Sequence, residues 1–179
     1  MSWSNNKQVE EQSDQQVWEV VFEELPSTME DFLELPEVSL KEPHFAAALL
    51  IPALVLWSRQ EALAIEMINY LKGPQKLSVR DVQFINDRLR GKDYLPLSYV
   101  EGSSPENGYA PPNPYRVKVF TVSTSFVEAG YAKLYLQSSG ADSKRPVQLR
   151  KKESSGEWFL WDQMLLSGIR IPVSEDPWA

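Results

Sequence analysis

The sequence predicts an α+β fold, with N-terminal helices packed on a C-terminal antiparallel β-meander of four to five strands. Three observations carry this. Between positions 43 and 89 apolar residues fill every face or recur at helical spacing; after position 115 the period drops to two; and the strand candidates are joined by short turns, which suit antiparallel neighbours. Helices gathered in one half and strands in the other define the class. A chain of 179 residues with 42% apolar content and 11% aromatics has ample material for a packed core.

Residues 1–16 are polar and charged with little to bury, and are expected to be disordered. The rest reads as one domain over 17–179: a helical part from about 28 to 91, a connection over 92–114 and a sheet part over 115–172. Val17–Leu25 (VWEVVFEEL) fits either a strand or a short helix. Ser27 stands three residues before Glu30, the spacing of a reciprocal helix cap, which predicts a helix over about 28–34 that Pro36 ends.

Pro43 suits a first helical position, and the run behind it is apolar all round, as in a helix enclosed by other elements. Pro52 inside that run predicts a kink near residue 50 or a split into two helices. From Glu61 the helical pattern continues to Lys72-Gly73-Pro74, a basic last turn followed by two helix stops. A further helix opens at Ser78, with Asp81 three on, and stops at Gly91.

The next 25 residues, Gly91–Tyr115, hold five prolines and three glycines and follow neither period. Connections this long are usually functional or disordered. Four tyrosines, Tyr94, Tyr99, Tyr109 and Tyr115, argue against plain disorder, since aromatic rings seek burial. Strands follow: one from Tyr115, one after Gly130 with Ala132, Leu134 and Leu136 on one face, one with Val147 and Leu149, and one over Glu157–Met164; Ile169–Pro172 is a candidate fifth. Four short strands leave one apolar face uncovered, so sheet and helices are expected to depend on each other.

Composition excludes several classes of function. No cysteine means no disulfide, thiolate metal site or cysteine nucleophile, and the single His44 rules out multi-histidine metal sites. A net charge of −7 opposes binding to nucleic acid or an anionic membrane surface. The longest apolar run, Phe45–Trp57, has 13 residues, short of the roughly 18 or more that span a bilayer. Without an apolar leader, the protein is expected in the cytoplasm. No nucleophile elbow, phosphate-cradling glycine loop or His-Glu-x-x-His pair occurs, so no catalytic residue, metal ligand or cofactor is assigned.

The charge is uneven, with two basic against eleven acidic residues in 1–42 and hence +2 over the remainder. The counterpart is a cationic run, Lys144-Arg145 and Arg150-Lys151-Lys152; on a strand Arg150 and Lys152 share a face able to meet a carboxylate or phosphate, or simply protect a sheet edge. Trp158, Phe159 and Trp161 put rings on both faces of the last strand, which serves core packing or an aromatic-lined pocket. The candidate binding residues are therefore Tyr94, Tyr99, Tyr109, Tyr115, Trp161, Arg150 and Lys152. The expected function is non-enzymatic binding or protein interaction through the Pro- and Tyr-rich connection and the sheet face near Trp161. The alternative is a small-molecule-binding protein or enzyme with a cone-like pocket, and a homodimer built through the sheet is a third reading.

Several strings together, Leu71-Lys-Gly-Pro-Gln75, Tyr94-Leu-Pro-Leu-Ser-Tyr99, Pro105-Glu-Asn107 and Asp176-Pro-Trp-Ala179, resemble an uncharacterised bacterial family, a domain of unknown function found chiefly in Firmicutes such as clostridia. The resemblance runs from about residue 28 to the end and implies a bacterial, intracellular protein; no functional residue comes with it. In outline, helices followed by a meander also resemble the cone-shaped NTF2-like fold.

Overall fold

The computed structural model describes residues 15–179. The expectation of a disordered tail therefore lies, up to residue 14, outside the described residues. The chain forms strand β1 (Val17–Phe22), helices α1 (Met29–Leu33), α2 (Pro43–Trp57), α3 (Glu61–Lys72) and α4 (Val79–Leu89), and strands β2 (Tyr115–Phe120), β3 (Tyr131–Leu136), β4 (Arg145–Lys152) and β5 (Glu157–Gln163). The five strands make one antiparallel sheet in sequence order, so the class is α+β as predicted.

The fifth strand is not where Ile169–Pro172 suggested. Ile169–Pro172 has no strand partner; β1 supplies the edge instead, with Val17 to Phe22 paired one-to-one against Phe120 to Tyr115. Its period of two decides the matter between strand and helix, because Val20 and Phe22 are buried while Val17, Glu19 and Val21 stay on the other face. The first cap is shifted by one residue from the predicted pair: Thr28, not Ser27, accepts from the Asp31 N–H, and Asp31 in turn accepts from the Ser27 N–H. Thr28 takes the extended backbone that an N-cap needs.

Helix α2 is the centre of the molecule. Every residue of it except Phe45 is buried, and it touches all five strands as well as α3. Pro52 does not divide it: the helix runs unbroken from Pro43 to Trp57, with the proline deleting one hydrogen bond inside an otherwise complete helix. Helix α2 packs on the sheet and shares one buried core with its inward-facing Val117, Ala132, Leu134, Val147 and Leu149. One core draws on both halves, from Phe32, Leu49 and Met67 to Leu134, Leu149 and Leu160. Among the described residues no helix is long and apolar enough to cross a membrane.

Two further joins position the surface described next. Ser78 and Asp81 cap α4 reciprocally, as predicted, and Trp57 donates its indole N–H to the Asn86 side chain, tying α4 to α2. Helix α3 ends at Gly73, whose φ of +63° suits glycine, and the Phe159 ring lies so close that a side chain at position 73 would collide with it. The α3 terminus is thereby seated directly on β5.

A basic, aromatic groove as candidate functional site

Strands β4 and β5 pair with Arg150 opposite Phe159 and Lys152 opposite Glu157, and their register shifts between Gln148 and Leu149. Such a bulge adds a residue to one strand and re-aims the side chains beside it. Here Leu160 remains buried opposite Leu149, while Trp161 emerges on the outer face, 36% exposed. The Arg150 guanidinium sits over the Trp161 ring, 4.7 Å from its centroid, and over Tyr131 at 5.6 Å. Tyr131 and Trp161 meet edge to face, so the two rings hold a cation between them.

Between this ridge and the α3 terminus lies a groove of about 390 Å3 lined by Lys72, Pro74 and Gln75 on one side and by Arg150–Glu153 on the other, with Phe159, Leu160 and Trp161 as its floor. Its volume falls in the range of sites that take small ligands or single anchoring side chains. A narrower slot of about 130 Å3 shares Lys72, Leu160 and Trp161 with it and runs under α4, past Leu50, Leu54, Ile68, Leu77 and Ile85. Four cations against the single Glu153 give the groove a positive balance in a chain that is negative overall. Among the described residues no carboxylate lies within 4 Å of the Arg150, Lys151 or Lys152 nitrogens; the ion pairs are Arg90–Asp87, Arg116–Glu19, Lys118–Glu101 and Arg170–Asp142. The Lys151 ammonium lies 5.9 Å above the Trp158 ring instead.

The predicted residues separate into two sets. Arg150, Lys152 and Trp161 meet in the groove. The tyrosines line no part of it. Tyr94, Tyr99 and Tyr109 are buried, at 7%, 3% and 0% exposure. Tyr99 donates its hydroxyl to the Leu165 carbonyl and Tyr109 to the Arg170 carbonyl, while Tyr94 stacks on Tyr109 with the rings 5.2 Å apart. Burial pushes all three phenols above their usual pKa, so they stay neutral. Tyr115 borders a separate surface recess with Phe22, Leu25 and Arg59. Residues 92–114 thus form an ordered strap, locked further where the Ser98, Ser138 and Ser103, Ser139 hydroxyls pair.

Lys72, Pro74 and Gln75 join the groove without having been singled out for it, and Phe159, read only as part of an aromatic strand, joins them. Lys72-Gly73-Pro74 is legible in sequence as a helix stop, but nothing local says what the stop packs against. The family described as Domain of unknown function (DUF6935) matches residues 24–173, which is most of the chain and includes every groove residue. This chain belongs to that family. No curated protein and no solved structure matches it. The family match bears out the resemblance noted in the sequence; it carries no activity with it.

Proposed function

We propose that this domain of unknown function is a non-enzymatic binding module whose groove between α3 and β4–β5 receives an acidic segment bearing an aromatic or large apolar side chain. The observation that carries the reading is Arg150, held between Tyr131 and Trp161 at the rim of the groove with no carboxylate within 4 Å among the described residues. A guanidinium oriented by stacking has already lost the freedom that binding would otherwise restrict, and its donor fork matches a carboxylate. The aromatic floor supplies the apolar contact, and Lys152 and Lys72 extend the positive field to either side. A cytoplasmic setting belongs to the same reading; a chain without cysteine depends on no disulfide that such a compartment would reduce.

Fluorescence anisotropy of a labelled peptide of alternating glutamate and tryptophan tests it. Binding is expected to weaken at least about ten-fold in R150E and in K152E and to fall steeply with added salt, because exposed charges are screened. Equal binding by wild type and both variants, or indifference to salt, overturns the reading.

A further inference from the structure

The molecule carries a second feature without a counterpart. The segment after the 3-10 turn Val173–Glu175 carries Trp178, which is 93% exposed, the most exposed large apolar side chain among the described residues. Ile171 and Val173, each 40% exposed, precede it, and Glu175 and Asp176 stand three and two residues before the indole. This is an acidic segment with an aromatic anchor. The chain leading into it is tied to the body, the Val173 N–H donating to the Pro105 carbonyl and the Arg170 N–H to the Gly140 carbonyl, while the Trp178 backbone N–H donates to the Asp176 side chain within the segment.

We infer that the partner of the groove is the Glu175–Trp178 segment of a second copy of this chain, with Trp178 of that copy on the Phe159–Trp161 floor and Glu175 and Asp176 facing Arg150 and Lys152. The inference rests on the reading of the groove as a receptor for acidic, aromatic segments. A chain's own tail does not serve. The chain is tied at Arg170 to the Gly140 carbonyl and at Val173 to the Pro105 carbonyl, and Arg145 at the start of β4 holds the Ser167 and Gly168 carbonyls just before; the groove lies at the other end of β4, an eight-residue strand that spans about 23 Å at ~3.3 Å per residue. Insertion of one copy's tail into the next copy's groove is a heterologous contact, so it builds a ring or an open chain of copies rather than requiring a two-fold dimer. A four-residue contact segment buries well under the roughly 1,200–2,000 Å2 of a standard interface, which sets the association at the order of 0.1 mM unless ring closure makes several contacts at once.

Sedimentation velocity on the full chain, from about 10 μM to about 1 mM, reads the outcome. The expected result is concentration-dependent association that weakens at least ten-fold in W178A and in R150E/K152E, and returns when R150E/K152E is mixed with E175K/D176K. W178A lies in solvent and leaves the fold intact, so its effect reports on contact alone. A monomer throughout the range, or association unchanged by W178A, overturns the inference. The glutamate–tryptophan peptide separates the two levels: if it binds a monomeric wild-type chain through Arg150, the groove reading stands and only the self-partner falls; if it fails as well, both fall.

Discussion

The tyrosine strap and the β4–β5 groove are both rich in rings, yet they have opposite polar arrangements. In the strap, two of the phenol oxygens meet carbonyls of the segment following β5, and two tyrosine rings stack face to face. In the groove the polar groups beside the rings are cations without a partner carboxylate, and one ring faces solvent. The lesson is physical: aromatic density marks a place where area is available to bury, and whether it is core or binding surface depends on whether the neighbouring polar atoms are already satisfied.

The largest expected effect that separates the two regions is in the strap. Tyr109→Ala removes a ring at zero exposure, together with its stack on Tyr94 and its bond to the Arg170 carbonyl, and is expected to cost about 3–5 kcal/mol in chemical denaturation. Tyr99→Phe keeps the ring but orphans the buried Leu165 carbonyl, for an expected loss of about 1–3 kcal/mol. Arg150→Glu, by contrast, touches only surface and is expected to shift stability by no more than about 0.5–1 kcal/mol while abolishing peptide binding. A strap variant that spared stability, or a groove variant that unfolded the chain, would break the contrast.

A smaller effect sharpens it through pH. His44 is buried against Trp18 in a parallel stack with centroids 4.4 Å apart, its Nδ1 has no hydrogen-bond partner among the described residues, and burial holds its pKa below the usual 6.5, with the smaller effect of Glu42 acting the other way. A base whose folded pKa is lowered takes up its proton more readily when unfolded. Stability is therefore flat above about pH 6.5 and falls as the pH drops from there toward the folded value. Thermal melts between pH 8 and pH 5 are expected to show this decline, and His44→Phe to lessen it. Since His44 lies in the core and away from the groove, peptide affinity measured below the melting range is expected to be the same in His44→Phe as in wild type.

Much of the architecture was legible in sequence because it is written in local signals. The cap at Ser78, the stop at Lys72-Gly73-Pro74 and the alternation of Ala132, Leu134 and Leu136 each depend on a handful of neighbouring residues, and each stands where it was expected. The first strand was ambiguous because VWEVVF satisfies two periods over so short a span, and only β2, more than ninety residues on, selects the extended form. Ile169–Pro172 reads as a strand by composition, but the Arg170 N–H within it donates to the Gly140 carbonyl and the segment pairs with no strand. The site was half visible. Arg150, Lys152 and Trp161 could be gathered from one hairpin, whereas Lys72, Pro74 and Gln75 reach it only because Gly73 lets the Phe159 ring approach the chain, a tertiary contact that no spacing encodes. A long loop with aromatics reads alike whether its rings point in or out, and Tyr94, Tyr99 and Tyr109 point in.

The contrast between strap and groove comes to a point in one titration. In an NMR experiment on the full chain, adding the glutamate–tryptophan peptide is predicted to move the Trp161 indole N–H, the Arg150 side chain and the backbone of 72–75 and 150–153, and to leave the amides of Tyr94, Tyr99 and Tyr109 in place. Shifts centred on the strap, or none along β4 and β5, would contradict the account.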